Sequence, residues 1–426
     1  MAYQALSDQA KQVLKKCYFY IKIKIAIPNG RLRTGGRSIK MQKLSFKRFI
    51  FFIVLLLLLP IFPFPQETSI DPTNLAFKSQ ARYPCPPLKV GTYFLGLSPQ
   101  GNSIYVQFKQ GNEGFLQINE KIYGGSEQQI QSEPFFAINA EDRYCFTYRK
   151  NKLEYIATSW GKVYGGVPSL SSLAISANGK EVAFAYKKDK NYFVNLNDRP
   201  YSQDSFDWVG NVRFFKDNQP IFTYMQGPLK YFLHLANQSL GPFSSSPSLA
   251  VSRDAAHYGL ISAQDKNYFV MVDGKIVHED KNYLTDLTLS RTAANYAWVS
   301  VADDKCFVNT AYKRFGPYED ISYIFFAEDE SKLGFVFKNH KGFFAQFADR
   351  TYGPFAAVRD ACYSASATYK AFVLLKSFGD ENSYLQLNDK IIASFKGSIS
   401  IRWRGEDLIV GYYEKEALHL AVLSLK

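Results

Sequence analysis

The chain has 426 residues, of which 46% are hydrophobic and 16% aromatic, including 36 Phe and 29 Tyr. This composition favours strands packed around a large core and excludes disorder for most of the chain. The formal charge is +13, but residues 1–48 alone carry twelve Lys or Arg and one Asp, so the rest is nearly neutral. A nucleic-acid binder needs its cations on the folded surface that meets phosphates, so this distribution predicts no nucleic-acid partner.

The N-terminal part of the sequence is typical of an export signal. The basic segment 1–48 precedes an apolar segment, 49–65, whose run of about 11–15 apolar residues is short for a membrane-spanning helix. Met41–Arg48 fits a cationic n-region, so translation starts at Met1 or at Met41. No small-x-small cleavage site follows, which leaves a cleaved signal peptide and an uncleaved anchor both open. Either form predicts a C-terminal part on the periplasmic or extracellular side, in contact with the membrane only through residues 49–65.

Residues 66–80 form a predicted linker, and residues 81–426 contain a tandem repeat of about 37 residues. The first string of each repeat is an apolar strand, a polar turn and a second apolar strand, as in LGLSPQGNSIYVQF and LAISANGKEVAFAY. The turns share an anchor position, which falls at Ser98, Asn139, Ser176, Ser252, Ser290, Ala327 and Ser364, and near Lys216.

A second string runs in phase with the first. It contains an apolar strand, a turn rich in Asn, Asp and Gly, and then an aromatic or aliphatic residue at Tyr123, Tyr164, Tyr201, Leu240, Val277, Phe315, Tyr352 and Ile392. Asn-Asp and Asp-Gly pairs favour tight hairpins because they tolerate positive φ. Gly-Gly and Gly-Pro pairs often follow, and we interpret them as turns between successive repeats.

Two phased hairpins give four strands, A to D, in each repeat, without a helix signal between them. Such a repeat predicts an all-β fold, a single β-propeller of four-stranded blades. Eight complete repeats run from about residue 90 to 397, and residues 398–426 supply strands A to C of another. Arg82–Pro86 resembles a D strand that would close this last blade. The prediction is therefore eight blades, or nine if the N-terminal closure forms.

Two of these strings resemble a known family of repeats. Ser98-Pro99 with Gly101, and Ser176 with Gly179-Lys180 and Ala183-Phe184, are similar to the Ser-Pro-Asp-Gly-Lys…Ala-Phe repeat of bacterial WD-like propellers. That broad family includes the periplasmic propeller of the Tol–Pal envelope system. The resemblance implies a propeller fold and an exported location, and it assigns no functional residue.

Residues that could carry chemistry are scattered along the sequence. The five histidines have no metal-ligand spacing, and the four cysteines after the apolar segment match no zinc pattern, so we interpret the cysteines as buried apolar residues. A GxSxG nucleophile elbow does not occur. The sequence therefore predicts no cofactor, no metal and no catalytic residues, and makes an enzyme the less favoured reading.

The connections between strand D of one blade and strand A of the next should converge with the B–C turns on one face around the channel. They hold the candidate binding residues Asp204, Asp207, Trp208, His278, Glu279, Asp280, Tyr318, Glu319, Asp320, Arg359 and Asp360. We interpret the charged B–C turns as solvated hairpin tips.

Two functions fit this face. The first is a non-catalytic binding propeller of the cell envelope that presents its loops to an envelope protein. The alternative is a carbohydrate-active or sugar-binding propeller, which needs carboxylates about 5–10 Å apart beside an aromatic platform.

Overall fold

A computed structural model of the chain describes residues 77–89, 93–126, 128–130, 135–202, 204–236, 238–348 and 350–425. All of them belong to one structural unit, Asp71–Lys426. The predicted segments 1–48 and 49–65 and most of the linker lie outside the described residues. In the described part, no helix is long and apolar enough to cross a membrane.

The described residues form 36 strands arranged as nine four-stranded antiparallel sheets, the blades of a propeller. The first strand is β1 (Lys78–Pro84). Blades 1 to 3 contain β2 (Tyr93–Leu97), β3 (Ile104–Gln110), β4 (Glu113–Ile118), β5 (Lys121–Gly124); β6 (Phe136–Ile138), β7 (Tyr144–Lys150), β8 (Leu153–Thr158), β9 (Val163–Val167); β10 (Ser169–Ile175), β11 (Val182–Lys188), β12 (Asn191–Leu196) and β13 (Arg199–Pro200). Blades 4 to 6 contain β14 (Trp208–Phe215), β15 (Gln219–Met225), β16 (Tyr231–Leu235), β17 (Gln238–Phe243); β18 (Ser248–Val251), β19 (Tyr258–Gln264), β20 (Asn267–Val272), β21 (Lys275–Asp280); β22 (Tyr283–Leu289), β23 (Tyr296–Ala302), β24 (Lys305–Thr310) and β25 (Arg314–Tyr318). Blades 7 to 9 contain β26 (Asp320–Phe326), β27 (Leu333–Asn339), β28 (Gly342–Phe347), β29 (Arg350–Phe355); β30 (Ala357–Tyr363), β31 (Lys370–Leu375), β32 (Asn382–Leu387), β33 (Lys390–Lys396); β34 (Ile399–Arg404), β35 (Asp407–Glu414) and β36 (Ala417–Ser424).

The ninth blade is built from both ends of the described chain. Its strand order is β1-β36-β35-β34, and β1 pairs with β36 from Lys78 opposite Val422 to Pro84 opposite Ala417. This pairing confirms the predicted N-terminal closure and selects nine blades. Strand β1 begins at Lys78, three residues before the predicted start of the propeller at residue 81.

The repeated serine of the first string closes the turn between strands A and B. Ser98, Ser176, Ser252, Ser290 and Ser364 are all buried. In each, the Oγ atom accepts a hydrogen bond from the backbone N–H five residues later, at 2.9–3.1 Å. A buried hydroxyl satisfied in this way holds the six-residue turn in one conformation, which explains why the residue recurs.

The Asn or Asp of the second string lies in the turn between strands C and D. Asn119, Asn197, Asp273 and Asn388 have φ of 52°, 56°, 48° and 49°. In each case the Oδ1 atom accepts a hydrogen bond from the backbone N–H of the first residue of strand B, at 3.0–3.1 Å. The predicted tight-hairpin role of these residues is therefore confirmed, because they combine positive φ with a bond that fixes strand B.

The Gly-Pro pairs are not turns between blades, as the sequence suggested. Gly241-Pro242, Gly316-Pro317 and Gly353-Pro354 lie inside β17, β25 and β29, at irregularities in the pairing with strand C. Gly353 has a φ of 130°, and a Cβ atom there would lie 2.8 Å from the carbonyl oxygen of Phe343. Strand D is the outer edge of the blade, where a bulge and a proline without an N–H are both tolerated.

The core lies between blades and is filled from strand B. Phe146, Phe184, Phe222, Phe335 and Phe372, each on strand B of its blade, are almost completely buried. The apolar clusters join neighbouring blades, and one cluster joins the residues of blade 1 to those of blade 9, so that the ring closes. Strand A of each blade contacts strand A of the next around most of the ring, so these strands lie innermost.

Candidate functional site

The antiparallel strand order gives the propeller two different faces. One face carries the A–B and C–D turns. The other, which we call the loop face, carries the B–C turns and the D–A connections. The candidate residues belong to three D–A junctions of the loop face and to one innermost strand, and they are described in that order.

At the junction of blades 3 and 4, the candidate side chains contact their own blade. The carboxylate of Asp207 accepts a hydrogen bond from the backbone N–H of Gly227, in the B–C turn, at 2.6 Å. Asp204 bonds with Ser202 inside the connection. Trp208 is half-buried at the start of β14 and packs edge-on against Tyr231, with ring centroids 6.4 Å apart. Asp207 thus joins the connection to the B–C turn, as expected for residues of one face.

At the junction of blades 5 and 6, three candidates lie at the end of β21. The Nε2 atom of His278 is 3.7 Å from the carboxylate of Asp280, and its ring lies 4.8 Å from that of Trp298. Asp280 also accepts hydrogen bonds from the backbone N–H and the side-chain amide of Asn282, both at 3.0 Å. Glu279 is exposed. This group combines an imidazole, a carboxylate and an indole at one place.

At the junction of blades 6 and 7, the three candidates have different roles. The ring of Tyr318 lies 4.1 Å from that of Phe337 and belongs to the core between the blades, where burial raises the pKa of its hydroxyl. Glu319 and Asp320 are exposed, and the backbone N–H of Glu319 donates to the carbonyl of Lys338. Tyr318 therefore positions the connection, while the two carboxylates face solvent.

Arg359 and Asp360 lie within the innermost strand β30 and not in a connection. Asp360 accepts hydrogen bonds from Arg402 Nη1 at 3.1 Å and from the backbone N–H of Ile401 at 3.1 Å, both on the innermost strand of blade 9. The Asp360 side chain is only 19% exposed and that of Arg402 is 39% exposed. Burial, together with the Asp360 charge, raises the pKa of Tyr323 on blade 7.

The Asp360–Arg402 pair is the feature that sequence analysis missed. Arg402 lies 42 residues after Asp360, and the pair depends on the register between β30 and β34. The only signal in the sequence was the presence of an Asp and an Arg on the innermost strands β30 and β34. Arg359 points elsewhere, because its Nη1 atom is 3.4 Å from the hydroxyls of Ser383 and Ser398.

These four groups lie at three different blade junctions and on strand β30. Among the described residues, we find no hydrogen bond or ion pair that joins one group to another. Three cavities, of about 570, 170 and 430 Å³, are lined by other residues. No group of three or more His, Cys, Asp or Glu side chains in the described part is placed to hold a metal ion. The role of the candidate loop-face residues in binding stays a prediction.

The opposite face is stabilised by hydrogen bonds between A–B turns of neighbouring blades. These bonds join Asn139 to Ala177, Lys216 to Ala255, Ser290 to Glu330, Lys332 to Ala367, Ser366 to Glu406 and Arg404 to Asn102. Slight burial opposes ionisation of Glu330, but hydrogen bonds from Ser290 and Thr292 lower the pKa of its carboxyl. Six of the nine blade junctions in the described residues are joined in this way, so most of this face is an internally bonded surface.

The sequence matches no family model and no curated protein. Solved structures that resemble the fold include the Dos1 propeller, with 10% identity, a TM-score of 0.45 and coverage of 82% of this chain and 96% of that one. They also include the β-propeller domain of Myceliophteria thermophila Cps50 (Swd1), with 11% identity, a TM-score of 0.35 and coverage of 70% and 98%. A third is Kluyvelomyces marxianus Hsv2, with 11% identity, a TM-score of 0.36 and coverage of 62% and 98%. The protein is a nine-bladed β-propeller in its described residues.

Proposed function

We propose that the protein is a non-catalytic binding propeller that is exported to the cell envelope and presents its loop face to another protein. The export part of this proposal rests on the basic and apolar segments 1–48 and 49–65. The binding part rests on the contrast between the two faces of the ring.

That contrast is the observation that supports a binding role. The A–B turns are bonded to their neighbours across six blade junctions of the described residues, whereas the B–C turns end in exposed residues in every described blade. A rigid ring that presents exposed connections on one side is a common arrangement for recognition. Two of these turns also expose large apolar side chains, Leu229 at 71% and Phe378 at 84%.

In-cell photo-crosslinking tests the proposal. A photoreactive phenylalanine analogue would replace Asn151, Leu229 or Phe378 on the loop face, in separate variants of the full chain. The matched control is Tyr312, which lies in the C–D turn of blade 6, on the face opposite the loop face, and is 94% exposed. We expect one protein to be captured from loop-face positions and not from Tyr312. Capture from Tyr312 alone, or no protein captured at any position, would contradict the proposal.

The sugar-binding alternative has a separate test. Binding of an oligosaccharide array by the purified protein, abolished by Asp207→Asn or Trp208→Ala and unaffected by Tyr312→Ala, would favour it over a protein partner. Among the candidate residues, it is supported by Asp207 next to Trp208 at the junction of blades 3 and 4 and by Asp280 beside His278, whose ring lies near Trp298.

A further inference from the structure

The B–C turns of the neighbouring blades 2 and 3 carry an unusual excess of positive charge. Their exposed basic residues are Arg149, Lys150, Lys152, Lys187, Lys188 and Lys190. Only two acidic residues, Glu154 and Asp189, lie in or beside these two turns. We call this set of eight residues the basic sector.

One of the two acidic residues is already used inside the blade. Glu154 is buried, and its carboxylate accepts a hydrogen bond from Arg149 Nη2 at 2.7 Å and from the backbone N–H of Leu170 at 2.6 Å. Asp189 is therefore the only exposed carboxylate on the two described turns. The five lysines of the basic sector are exposed, so these two turns carry a net positive charge and create a positive potential.

A polar cleft opens beside the basic sector. It has a volume of about 570 Å³ and is lined by Ser126, Gln129 and the turn residues 149–152. Its wall is held by a pair of backbone hydrogen bonds, of 3.0 and 2.9 Å, between Gln129 and Arg149. The cleft is large enough for a side chain of a partner, and the residues at its rim are basic.

The charge is opposite at blades 5 and 6 of the same face. The B–C turns and D–A connections of these blades carry the exposed acidic residues Asp265, Glu279, Asp303, Asp304, Glu319 and Asp320, the half-buried Asp280, and the basic residues Lys266, Lys281 and Lys305. The loop face is therefore electrostatically polarised, and mixed charge for solubility alone does not account for this separation.

We propose that the basic sector and its cleft bind an acidic segment, rich in Asp and Glu, of a partner protein. Separate ammonium groups on two blades suit the separate carboxylates of an extended segment. A long polyanion such as a nucleic acid would continue across the face and meet Asp204, Asp207 and the acidic blades, which disfavours it. This inference rests on the proposed function, because it names the chemistry of the partner that the loop face receives.

A peptide-binding measurement tests the inference. The probe is a fluorescent 12-residue peptide of alternating Glu and Gly, compared with its Gln counterpart, against the full chain in neutral detergent. We expect the Glu peptide to bind and the Gln peptide not to bind, with affinity falling as salt rises. Lys150→Gln with Lys188→Gln should weaken binding roughly 5- to 10-fold, as expected for two exposed charges. The matched control, Lys266→Gln with Lys305→Gln on blades 5 and 6, should change it less than about twofold.

Three results would overturn the inference. They are equal binding of the Gln peptide, equal loss in both double variants, and tighter binding of single-stranded DNA or a sulfated polysaccharide than of the Glu peptide. The crosslinking experiment separates the two proposals. A partner captured from Leu229 and Phe378 but not from Asn151 leaves the binding function in place and places the partner away from the basic sector.

Discussion

At the scale of single residues, the Asp360–Arg402 pair is an ion pair between the innermost strands of two neighbouring blades. The carboxylate receives a guanidinium and a backbone N–H at 3.1 Å each, and it is largely shielded from water. Removing one partner of such a pair leaves the charge of the other without a counter-ion, which lowers the stability of the fold. Because the Arg402 side chain is 39% exposed, water can partly solvate its charge and limit that loss.

We predict that Asp360→Asn lowers the free energy of unfolding by about 1–3 kcal/mol, because Arg402 keeps its charge and loses its counter-ion. Urea denaturation measures the loss without screening the pair with salt. The double variant Asp360→Asn with Arg402→Met should recover part of it. Losses that simply add in the double variant would show that the two side chains contribute independently.

The buried cysteines give a prediction on pH. Burial raises the pKa of Cys85 and of Cys145 to about 12. Only the thiolate reacts, and at pH 8 each thiol is four pH units below its pKa, so about one thiol in ten thousand is ionised. We expect iodoacetamide at pH 8 to leave both unmodified in the native protein and to modify them in urea, as read by mass spectrometry.

Cys306 is the internal control for that experiment. All four described cysteines are free, and Cys306 is partly exposed. Its pKa is raised by burial and by the nearby carboxylates of Asp320 and Asp286, but its sulfur is open to reagent. We expect Cys306 to react faster than Cys145. Equal rates at the two positions would mean that the buried Cys145 is exposed by opening of blade 2 often enough to react as fast as the partly exposed Cys306.

At the scale of the element, the irregular pairing of strand D in blade 7 explains why residue 353 is a glycine. Gly353 combines a φ of 130° with a Cβ position 2.8 Å from the carbonyl oxygen of Phe343. We predict that Gly353→Ala lowers the free energy of unfolding by about 2–4 kcal/mol, because both backbone strain and a clash are introduced.

Gly405 offers a matched control for this prediction. It has a φ of 62°, and an added Cβ atom would meet nothing within 4 Å. Gly405→Ala should lower the free energy of unfolding by only about 1 kcal/mol, because an alanine in the left-handed region is strained even where no atom clashes with its Cβ. Equal losses for the two variants, measured by urea denaturation, would show that conformation alone matters at Gly353.

These elements also show where sequence reasoning succeeds. Ser176 and Asn197 act through bonds to residues 15 or fewer positions away, so their recurrence is enough to place the turns. The Gly-Pro pairs were assigned to turns because glycine and proline usually interrupt structure. An edge strand tolerates both, since one side of it has no partner strand to receive hydrogen bonds.

The candidate site was less predictable than the fold. The D–A residues near Asp207 and Asp280 lie where the repeat places them, because the phase of the repeat decides which face a residue reaches. The Asp360–Arg402 pair was not predictable, since it depends on how two innermost strands from different repeats are aligned. The basic sector could not be predicted from either repeat alone, because it forms only where the B–C turns of blades 2 and 3 lie side by side.

At the scale of the whole molecule, the ring depends on a single non-local strand pair. Strand β1 completes blade 9 through its pairing with β36, in which Arg82 lies opposite His419. We predict that Arg82→Cys with His419→Cys, once oxidised, raises the free energy of unfolding by about 2–4 kcal/mol by fixing this closure. Thermal unfolding of the oxidised and reduced forms of the same variant measures the difference.

The serine version of that variant is the control, since it removes both side chains without adding a bond. We expect it to match the reduced form. A disulfide that forms without raising the melting temperature would show that unfolding begins at another blade junction and not at the closure.

The closure also sets an order of events during synthesis. The hydroxyl of Tyr413 bonds to the carbonyl of Pro86, 327 positions earlier in the chain, and β36 follows later still. Strand β1, one of the first parts of the propeller to be synthesised, must therefore wait unpaired until β36 has been synthesised. Until then we expect the blades already made to form an open arc with unpaired strand edges, which is the kind of surface that chaperones protect. A chain interrupted before β36 would keep that open arrangement, because β1 would have no strand to pair with.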